Sequence, residues 1–324
     1  MLVRADLRFL ETTRNFRFEG KATCMKPVAL CSACVAVLLV AVLPLSAVAQ
    51  TLTAAEAIHR IQQHYPVAPP SNTVDTIKAG DPSTTVTGIA VTFLDTMDVL
   101  REANKRGLNL VIIHEPTFYN HLDDTTFFAD DPVYRDKLAF IQQHHMVVFR
   151  FHDQMHSISP DPVAMGFVQA LGWQNYIDGG NPFQLTIPKT TLLELSRELA
   201  KKLNAQSLRV VGNTAVPITH DGMLPGAAGT QKQILALRSG QVEVLLVGEV
   251  PEWETIAYVR DASAQGRPEA LILLGHEVSE EAGMKLCAQD FRALFPNLPV
   301  VHIPAGQPMW TPERPPTSVS RTSH

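Results

Sequence analysis

Residues 84–116 read TTVTGIAVTFLDTMDVLREANKRGLNLVIIHEP, an apolar segment, an amphipathic segment and a second apolar segment. The first segment, 84–93, is rich in β-branched residues and predicts a strand. Residues 94–107 place apolar side chains at helical spacing and end in glycine, which predicts a helix. Residues 108–116 are apolar almost until their end, as parallel strands buried on both faces are. The stretch therefore predicts a β-α-β unit and an α/β fold.

The same alternation extends over most of the chain. A helix is predicted before the unit, at 53–65, and a helix, a strand and another helix follow it up to residue 172. Residues 173–224 differ, because a strand, an amphipathic helix and a strand there predict a smaller α+β middle segment. The α/β pattern returns at 225–308. We predict a mainly parallel sheet flanked by helices, with 50–172 and 225–308 as the two parts of its core.

The two ends of the chain are predicted to lie outside this core. Met25 and Lys26 precede an uncharged apolar segment that ends in Ala47-Val48-Ala49, the pattern of a secretory signal peptide. We expect residues 1–49 to be a leader and signal peptide, with Met25 as the initiator and a secreted or periplasmic product without a stable membrane span. A membrane anchor is the alternative. Residues 309–324 are rich in Pro, Ser and Thr and predict a disordered tail.

Composition excludes one class of partner. The net charge is −5 over 324 residues, and Lys and Arg form no basic stripe, so we expect no nucleic-acid binding. Three of the four cysteines precede residue 50, which leaves Cys287 as a small core residue. A mature chain with one cysteine forms no internal disulfide and depends on its core, on metals or on partners.

Three predicted strands end in metal-binding residue types. The first delivers His114 and Glu115, and the third, LILLGHEVSEE, delivers His276 and Glu280 at helical spacing. The second strand delivers His152, Asp153 and His156. Imidazole and carboxylate groups bind Zn²⁺, Mn²⁺ or Fe²⁺. Because the carboxyl ends of parallel strands share one edge of a sheet, we expect these residues to form a metal site.

These motifs resemble the NIF-three-like dinuclear metal centre hexameric proteins, also known as GTP cyclohydrolase 1 type 2 homologues. The resemblance extends from about residue 52 to 308 and is most specific at LLGHEVSEEAG (273–283). There the family's Gly-His and Ser-Glu motif is matched in full, and the resemblance implies that His276 and Glu280 bind metal. The family's early motif has two adjacent histidines, and this chain has Glu115 at the second.

A second departure balances the first. The family places an aspartate four residues after a histidine that corresponds to His152, and His156 stands at that position. The exchange keeps three imidazoles and two carboxylates, so we interpret it as a retained site. The implied ligands are His114, Glu115, His156, His276 and Glu280. Asp153 is an alternative ligand, or an outer group that orients a ligand histidine.

The resemblance implies two divalent ions, with Glu280 as the bridging and catalytic residue of a metal-dependent hydrolase acting on a small molecule. Nothing in these residues selects GTP. The alternative is a non-catalytic metal-binding or scaffold protein, because members of the family assemble as hexamers and a homo-oligomer is expected here. Glu249 is a possible pocket residue, whereas His121 is explained equally well as a surface loop residue, and Asp221 is not favoured as a site residue.

Overall fold

The computed structural model describes residues 51–312, within which the chain forms nine helices and eleven strands. The helices are α1 (Ala54–His64), α2 (Met97–Lys105), α3 (Pro132–Gln143), α4 (Asp153–Ser157), α5 (Pro162–Leu171), α6 (Leu192–Lys202), α7 (Thr230–Arg238), α8 (Ala257–Ala264) and α9 (His276–Leu294). The strands are β1 (Ile77–Ala79), β2 (Ile89–Thr92), β3 (Leu110–Ile113), β4 (Val147–Arg150), β5 (Ile177–Asp178), β6 (Asn181–Thr191), β7 (Arg209–Val211), β8 (Pro217–Leu224), β9 (Val244–Val247), β10 (Ala270–Leu273) and β11 (Val300–His302). The predicted signal peptide and residues 313–324 of the predicted tail lie outside the described residues.

The strands form two mixed sheets, and the α/β class is confirmed. The first sheet has the order β1-β4-β3-β2-β11, with only β1 antiparallel to its neighbour. The second has the order β5-β6-β8-β9-β10-β7, in which β8, β9 and β10 run parallel. Strands β9 and β10 extend the middle segment's sheet, because β9 pairs with β8 through Asp221 and Val244, whereas β11 pairs with β2 in the first sheet. The sequence pattern predicted a single sheet that contains β3, β4, β9 and β10.

The cores lie on both faces of each sheet. Five strands, β2, β3, β4, β9 and β10, are buried at every residue, as their continuous apolar sequences predicted. Helices α1 and α9 cover one face of the first sheet, and α2 and α3 cover the other. Helices α5 and α6 and helices α7 and α8 cover the two faces of the second sheet. Because these strands are buried at every residue, the point at which each strand leaves the core is fixed.

Helices α5 and α9 cross at a pair of glycines. A Cβ atom added to Gly166 would lie 2.6 Å from the Cα of Gly283, closer than non-bonded carbon atoms approach. Since both positions lack a side chain, the two backbones pack directly against each other. This close crossing fixes α9, whose first residue is His276, against the segment that follows β4.

Local sequence explains where the first helix begins. Thr53 accepts a hydrogen bond from the backbone N–H of Glu56, and the Glu56 carboxylate accepts one from the backbone N–H of Thr53. This reciprocal capping box starts α1 one residue after the predicted position.

Among residues 51–312, no helix has the length and apolar character needed to cross a membrane.

Candidate metal centre

The carboxyl ends of three buried strands deliver the predicted site residues to one place. His114 and Glu115 follow β3, His152 follows β4, and His276 follows β10 at the start of α9. β10 belongs to the second sheet, so the cluster lies between the two sheets. The expectation of a single shared sheet edge was wrong, although the residues still converge. His114 is completely buried, whereas His156 retains some exposure.

A distant carboxylate shapes the turn after β4. Asp75 is 4% exposed, and its carboxylate accepts hydrogen bonds from the backbone N–H groups of His152, Asp153 and Gln154. These N–H groups stand at the start of the short helix α4. The first N–H groups of a helix have no hydrogen-bond partner within the helix. The cap starts α4 at Asp153 and places His152 and His156 one helical turn apart.

Each of three imidazoles is oriented through its Nδ1 atom. His114 Nδ1 lies 3.2 Å from the carbonyl oxygen of Phe151. His152 Nδ1 lies 2.8 Å from Asp153 Oδ1, and His156 Nδ1 lies 2.9 Å from Asp161 Oδ2. Because a carbonyl or a carboxylate only accepts hydrogen bonds, each Nδ1 carries the proton and donates it. In the neutral rings the Nε2 atoms therefore present lone pairs, the arrangement found in histidine ligands of metals.

Two of these lone pairs face each other. His114 Nε2 lies 3.2 Å from His156 Nε2. Two lone pairs at this distance repel unless a proton or a metal ion lies between them. Burial, followed by the neighbouring His156 and His152, lowers the pKa of His114 well below its ordinary value. Burial opposes protonation of His156 as well, but Asp161 outweighs it and raises that pKa.

Two carboxylates complete the cluster. Glu280 Oε2 lies 3.1 Å from His276 Nε2 and 3.4 Å from His114 Nε2. Glu115 Oε1 lies 3.3 Å from His276 Nε2 and 3.6 Å from His152 Nε2. Each carboxylate thus lies between two imidazoles, which is the position of a group that bridges two ions. Ligand atoms within 4.8 Å of one another form two groups, His114 with His152 and His156, and His114 with Glu115 and Glu280.

Nearby carboxylates favour the protonated, positively charged form of His276. Its Nδ1 lies 3.5 Å from Glu249 Oε2, so three carboxylates surround this ring. Burial opposes a charge on His276, but Glu115, Glu249 and Glu280 raise its pKa to about 12. Burial also opposes ionisation of Glu115, but His276 and His152 lower its pKa overall. The donor set and its field therefore fit divalent metal ions.

A glycine turn closes one side of the cluster. A Cβ atom added to Gly226 would lie 2.1 Å from Glu280 Oε1, and Gly226 has a φ of +67°. Its backbone N–H donates to Ser279 Oγ at 2.9 Å. A side chain at position 226 would displace Glu280, so the absence of a side chain in this turn, within the GAAGT segment (226–230), allows Glu280 to reach the cluster.

The structure places all the predicted ligands at one site but changes the role of one. His114, Glu115, His156, His276 and Glu280 converge. Asp153 holds His152 and accepts a hydrogen bond from the backbone N–H of Val74, which is the outer role considered for it. His152, which was not among the predicted ligands, presents its Nε2 to the cluster instead.

Sequence reasoning missed two groups that orient the site. Asp161 precedes Pro162, and the pair is typical of a helix start. Its Oδ1 indeed caps α5 through Val163, whereas its Oδ2 binds His156. Arg150 is buried completely and places Nη2 at 3.3 Å from Glu115 Oε2. The one sequence signal for this role of Arg150 is its position at the end of an apolar strand, because a buried arginine requires charged or hydrogen-bonding partners.

A polar cleft gives access to the cluster. It has a volume of about 580 Å³ and is bordered by site residues together with His121 and Lys232. His121 therefore borders the cleft, and its ring centroid lies 6.0 Å from that of His152. A cavity of this size is typical of a small-molecule site.

Fold and site together define an α/β protein with a histidine–carboxylate cluster held between two sheets. The chain belongs to the Duf34/NIF3 (NGG1p interacting factor 3) family, whose profile matches residues 53–308. This confirms the resemblance inferred from the motifs. No curated protein matches the sequence.

Solved structures share the fold at low sequence identity. Protein SA1388 from Staphylococcus aureus is 18% identical with a TM-score of 0.63, covering 81% of this chain and 99% of its own. A Bacillus cereus protein related to NIF3 is 15% identical with a TM-score of 0.61, covering 81% and 98%. Reduced HcgD from Methanocaldococcus jannaschii is 16% identical with a TM-score of 0.56, covering 78% and 97%. At these identities the similarity establishes the fold.

Proposed function

We propose that the chain binds two divalent metal ions, Zn, Mn or Fe, and hydrolyses a small molecule at this centre. The observation that carries the proposal is the pair of Nε2 atoms of His114 and His156, 3.2 Å apart with both Nδ1 protons committed elsewhere. A cation between them removes the repulsion of the two lone pairs. Its neighbours are the Glu115 and Glu280 carboxylates, which supply the negative charge that two divalent ions require.

The residues fall into two overlapping sets. His114, His152 and His156 would hold one ion, and His114, Glu115 and Glu280 would hold the other, so His114 belongs to both sets. Glu280 Oε2, which lies 3.4 Å from His114 Nε2 and 3.1 Å from His276 Nε2, is the candidate bridging group, and His276 would complete the second set. When bound, two such ions lower the pKa of water towards neutrality and neutralise charge that develops on the substrate. Asp153 and Asp161 keep the imidazoles in the tautomer that binds metal.

The cleft residues would bind the substrate. Lys232 supplies a cation on the cleft wall, and His121 supplies a second polar side chain near His152. Glu249 lies 3.5 Å from His276 with its side chain 60% exposed, so it can accept or release a proton beside this ring. Export and assembly into a homo-oligomer such as a hexamer remain part of the proposal.

Elemental analysis of protein purified without added metal tests the first step. We expect about two equivalents of metal per chain in the wild-type protein and a lower metal content in Glu280→Gln. The control is Glu243→Gln, which alters an exposed histidine–carboxylate pair with His220 at 3.2 Å outside the cluster. A metal-free wild-type protein would contradict the proposal.

Activity tests the second step. Metal-loaded protein is assayed on a panel of esters, amides and phosphoesters, and we expect hydrolysis that Glu280→Gln abolishes and Glu243→Gln retains. Full metal occupancy without activity on any compound would favour the non-catalytic alternative. Activity that survives Glu280→Gln would exclude Glu280 as the catalytic bridge.

A further inference from the structure

A second cavity borders the metal centre in addition to the polar cleft. It has a volume of about 320 Å³, and its wall includes Glu115, Glu249 and His276. Glu115 and His276 border the polar cleft as well, so these two side chains form a wall shared by both spaces. A molecule bound at this wall can extend in two directions.

The lining of this second cavity is largely apolar. Its apolar side chains come from the ends of β2 and β10, from α9 and from the segment after β11: Phe93, Leu94, Leu273, Leu274, Val278 and Met309. The Phe93 ring lies against the His276 ring, with the centroids 5.3 Å apart. Apolar surface therefore reaches as far as the candidate metal ligands. Arg209 and Glu277 also line the cavity, and Arg209 is paired with Glu252 at 2.8 Å in an exposed ion pair.

The segment after β11 encloses the cavity. Gln307 accepts a hydrogen bond from the backbone N–H of Gln206 at 2.7 Å and donates one to the carbonyl oxygen of Asn204 at 3.0 Å. Beyond this bridge, the terminal methyl group of Met309 lies about 4.0 Å from a Cβ position built on Gly275. The segment thus spans from the loop before β7 to the start of α9 and places an apolar side chain over the cavity.

We propose that this cavity binds the hydrocarbon part of an acyl group whose carbonyl or carboxylate lies at the metal centre. The inference rests on the proposed function and specifies its substrate as an ester or amide of an apolar acid. The hydrocarbon occupies the apolar cavity, and the polar leaving group occupies the cleft that contains Lys232. This orientation follows from the position of Glu115 and His276 between one apolar space and one polar space.

The chemistry is an ordinary acyl hydrolysis. The hydroxyl of one water molecule bonds to the acyl carbon, the bond from that carbon to the leaving oxygen or nitrogen breaks, and the leaving atom takes the remaining hydrogen. The acid that remains has its hydrocarbon in the cavity and its carboxylate at the centre. Straight-chain carboxylates are therefore product analogues that report on the cavity without turnover.

The test is calorimetric titration of metal-loaded protein with acetate, butyrate, hexanoate and octanoate. Burial of each methylene group increases affinity by up to roughly fourfold, so we expect affinity to rise along the series until the cavity is filled. Removal of the metal with a chelator should weaken binding of every member. A series of equal affinities on metal-loaded protein would overturn this inference and leave the proposed function intact, whereas absence of metal from the protein would overturn both.

A variant separates the cavity from the centre. Met309→Glu places a charge at the cavity on a side chain that is 52% exposed, so the fold is retained. We expect the dependence on chain length to be lost, so that octanoate binds no more tightly than acetate to this variant. Met309→Leu should restore the chain-length dependence. Leu193→Glu, at an apolar residue of α6 that is 39% exposed and lines neither space, is the matched control. Equal chain-length dependence in Met309→Glu and wild type would overturn the placement of the hydrocarbon.

Discussion

The Nη2 atom of Arg150 lies 3.3 Å from the Oε2 atom of Glu115, and the arginine is completely buried. The same guanidinium donates through Nε to the carbonyl oxygen of His114 and through Nη1 to that of His121. One side chain thus fixes the ligand loop after β3 from the neighbouring strand β4. It also balances the charge of the carboxylate at the position where the family resemblance led us to expect a histidine.

Arg150→Met should destabilise the protein strongly. The change leaves Glu115 without its buried cation and two carbonyl oxygens without a donor, and breaking a buried pair of this kind costs about 3–5 kcal/mol. Chemical denaturation measures the free energy of unfolding. Arg101→Met is the control, because its ion pair with Asp98 is exposed, and it should change stability by less than about 0.5 kcal/mol. Equal effects of the two substitutions would refute the role assigned to Arg150.

Asp161→Asn should weaken metal binding about 10- to 100-fold without loss of the α5 helix cap. Asparagine caps a helix as well as aspartate does, but its amide group can donate to His156 Nδ1 and place the imidazole proton on Nε2. Asp131→Asn is the control, since Asp131-Pro132 starts α3 in the same way and Asp131 contacts no site residue. Titration with Zn²⁺ in competition with a chromophoric chelator provides the affinities. Similar affinities for both variants would exclude this orienting role.

Asp221→Asn should stabilise the protein at neutral pH. Asp221 is completely buried, neither carboxyl oxygen has a hydrogen-bond partner, and burial raises its pKa well above 3.8. The folded state therefore retains a proton that the unfolded state releases, and stability falls as pH rises through this window, by about 1.4 kcal/mol per pH unit. The variant has no such loss, so the two proteins should have similar stability near pH 4 and diverge above it.

Thermal unfolding at pH 4, 5.5 and 7 measures this divergence. Asp81→Asn provides a control of opposite sign, because hydrogen bonds from the backbone and side chain of Ser83 lower the pKa of that exposed carboxyl. Stability of wild type and Asp221→Asn that changes in parallel with pH would show that Asp221 is ionised in the folded protein.

Gly283→Ala should destabilise the protein although alanine is the better helix former. The substitution normally stabilises a helix by about 1 kcal/mol. Here the new Cβ would lie 2.7 Å from the Cα of Val163, so α9 must move away from α5. Since α9 carries His276 and Glu280, metal affinity should fall together with the melting temperature. A higher melting temperature would contradict the close crossing.

The sequence predicted the features that depend on local spacing. His276 and Glu280 share a helical turn, and their side chains lie 3.1 Å apart as that spacing implied. The buried strands were also predicted, because continuous apolar segments have one main explanation in an α/β protein. His156 and Glu115, which the sequence analysis interpreted as an exchange, both belong to the cluster.

Features that depend on distant contacts were not predictable. The choice of His152 over Asp153 as the inward-facing group depends on the backbone N–H of Val74, which holds the Asp153 carboxylate outside. The helix α4 depends on Asp75, and no local signal announces that cap. The division into two sheets depends on whether β9 pairs with β8 or with a strand of the first sheet, and the apolar sequence of β9 does not decide between them.

The origin of the ligands in two sheets has a consequence for biosynthesis. His114, His152 and His156 are translated well before His276 and Glu280, and β10 and α9 are among the last elements to leave the ribosome. A nascent or truncated chain holds only part of the donor set. Under the proposed function, metal acquisition would therefore follow synthesis of α9, and bound metal would selectively stabilise chains that have reached their final structure.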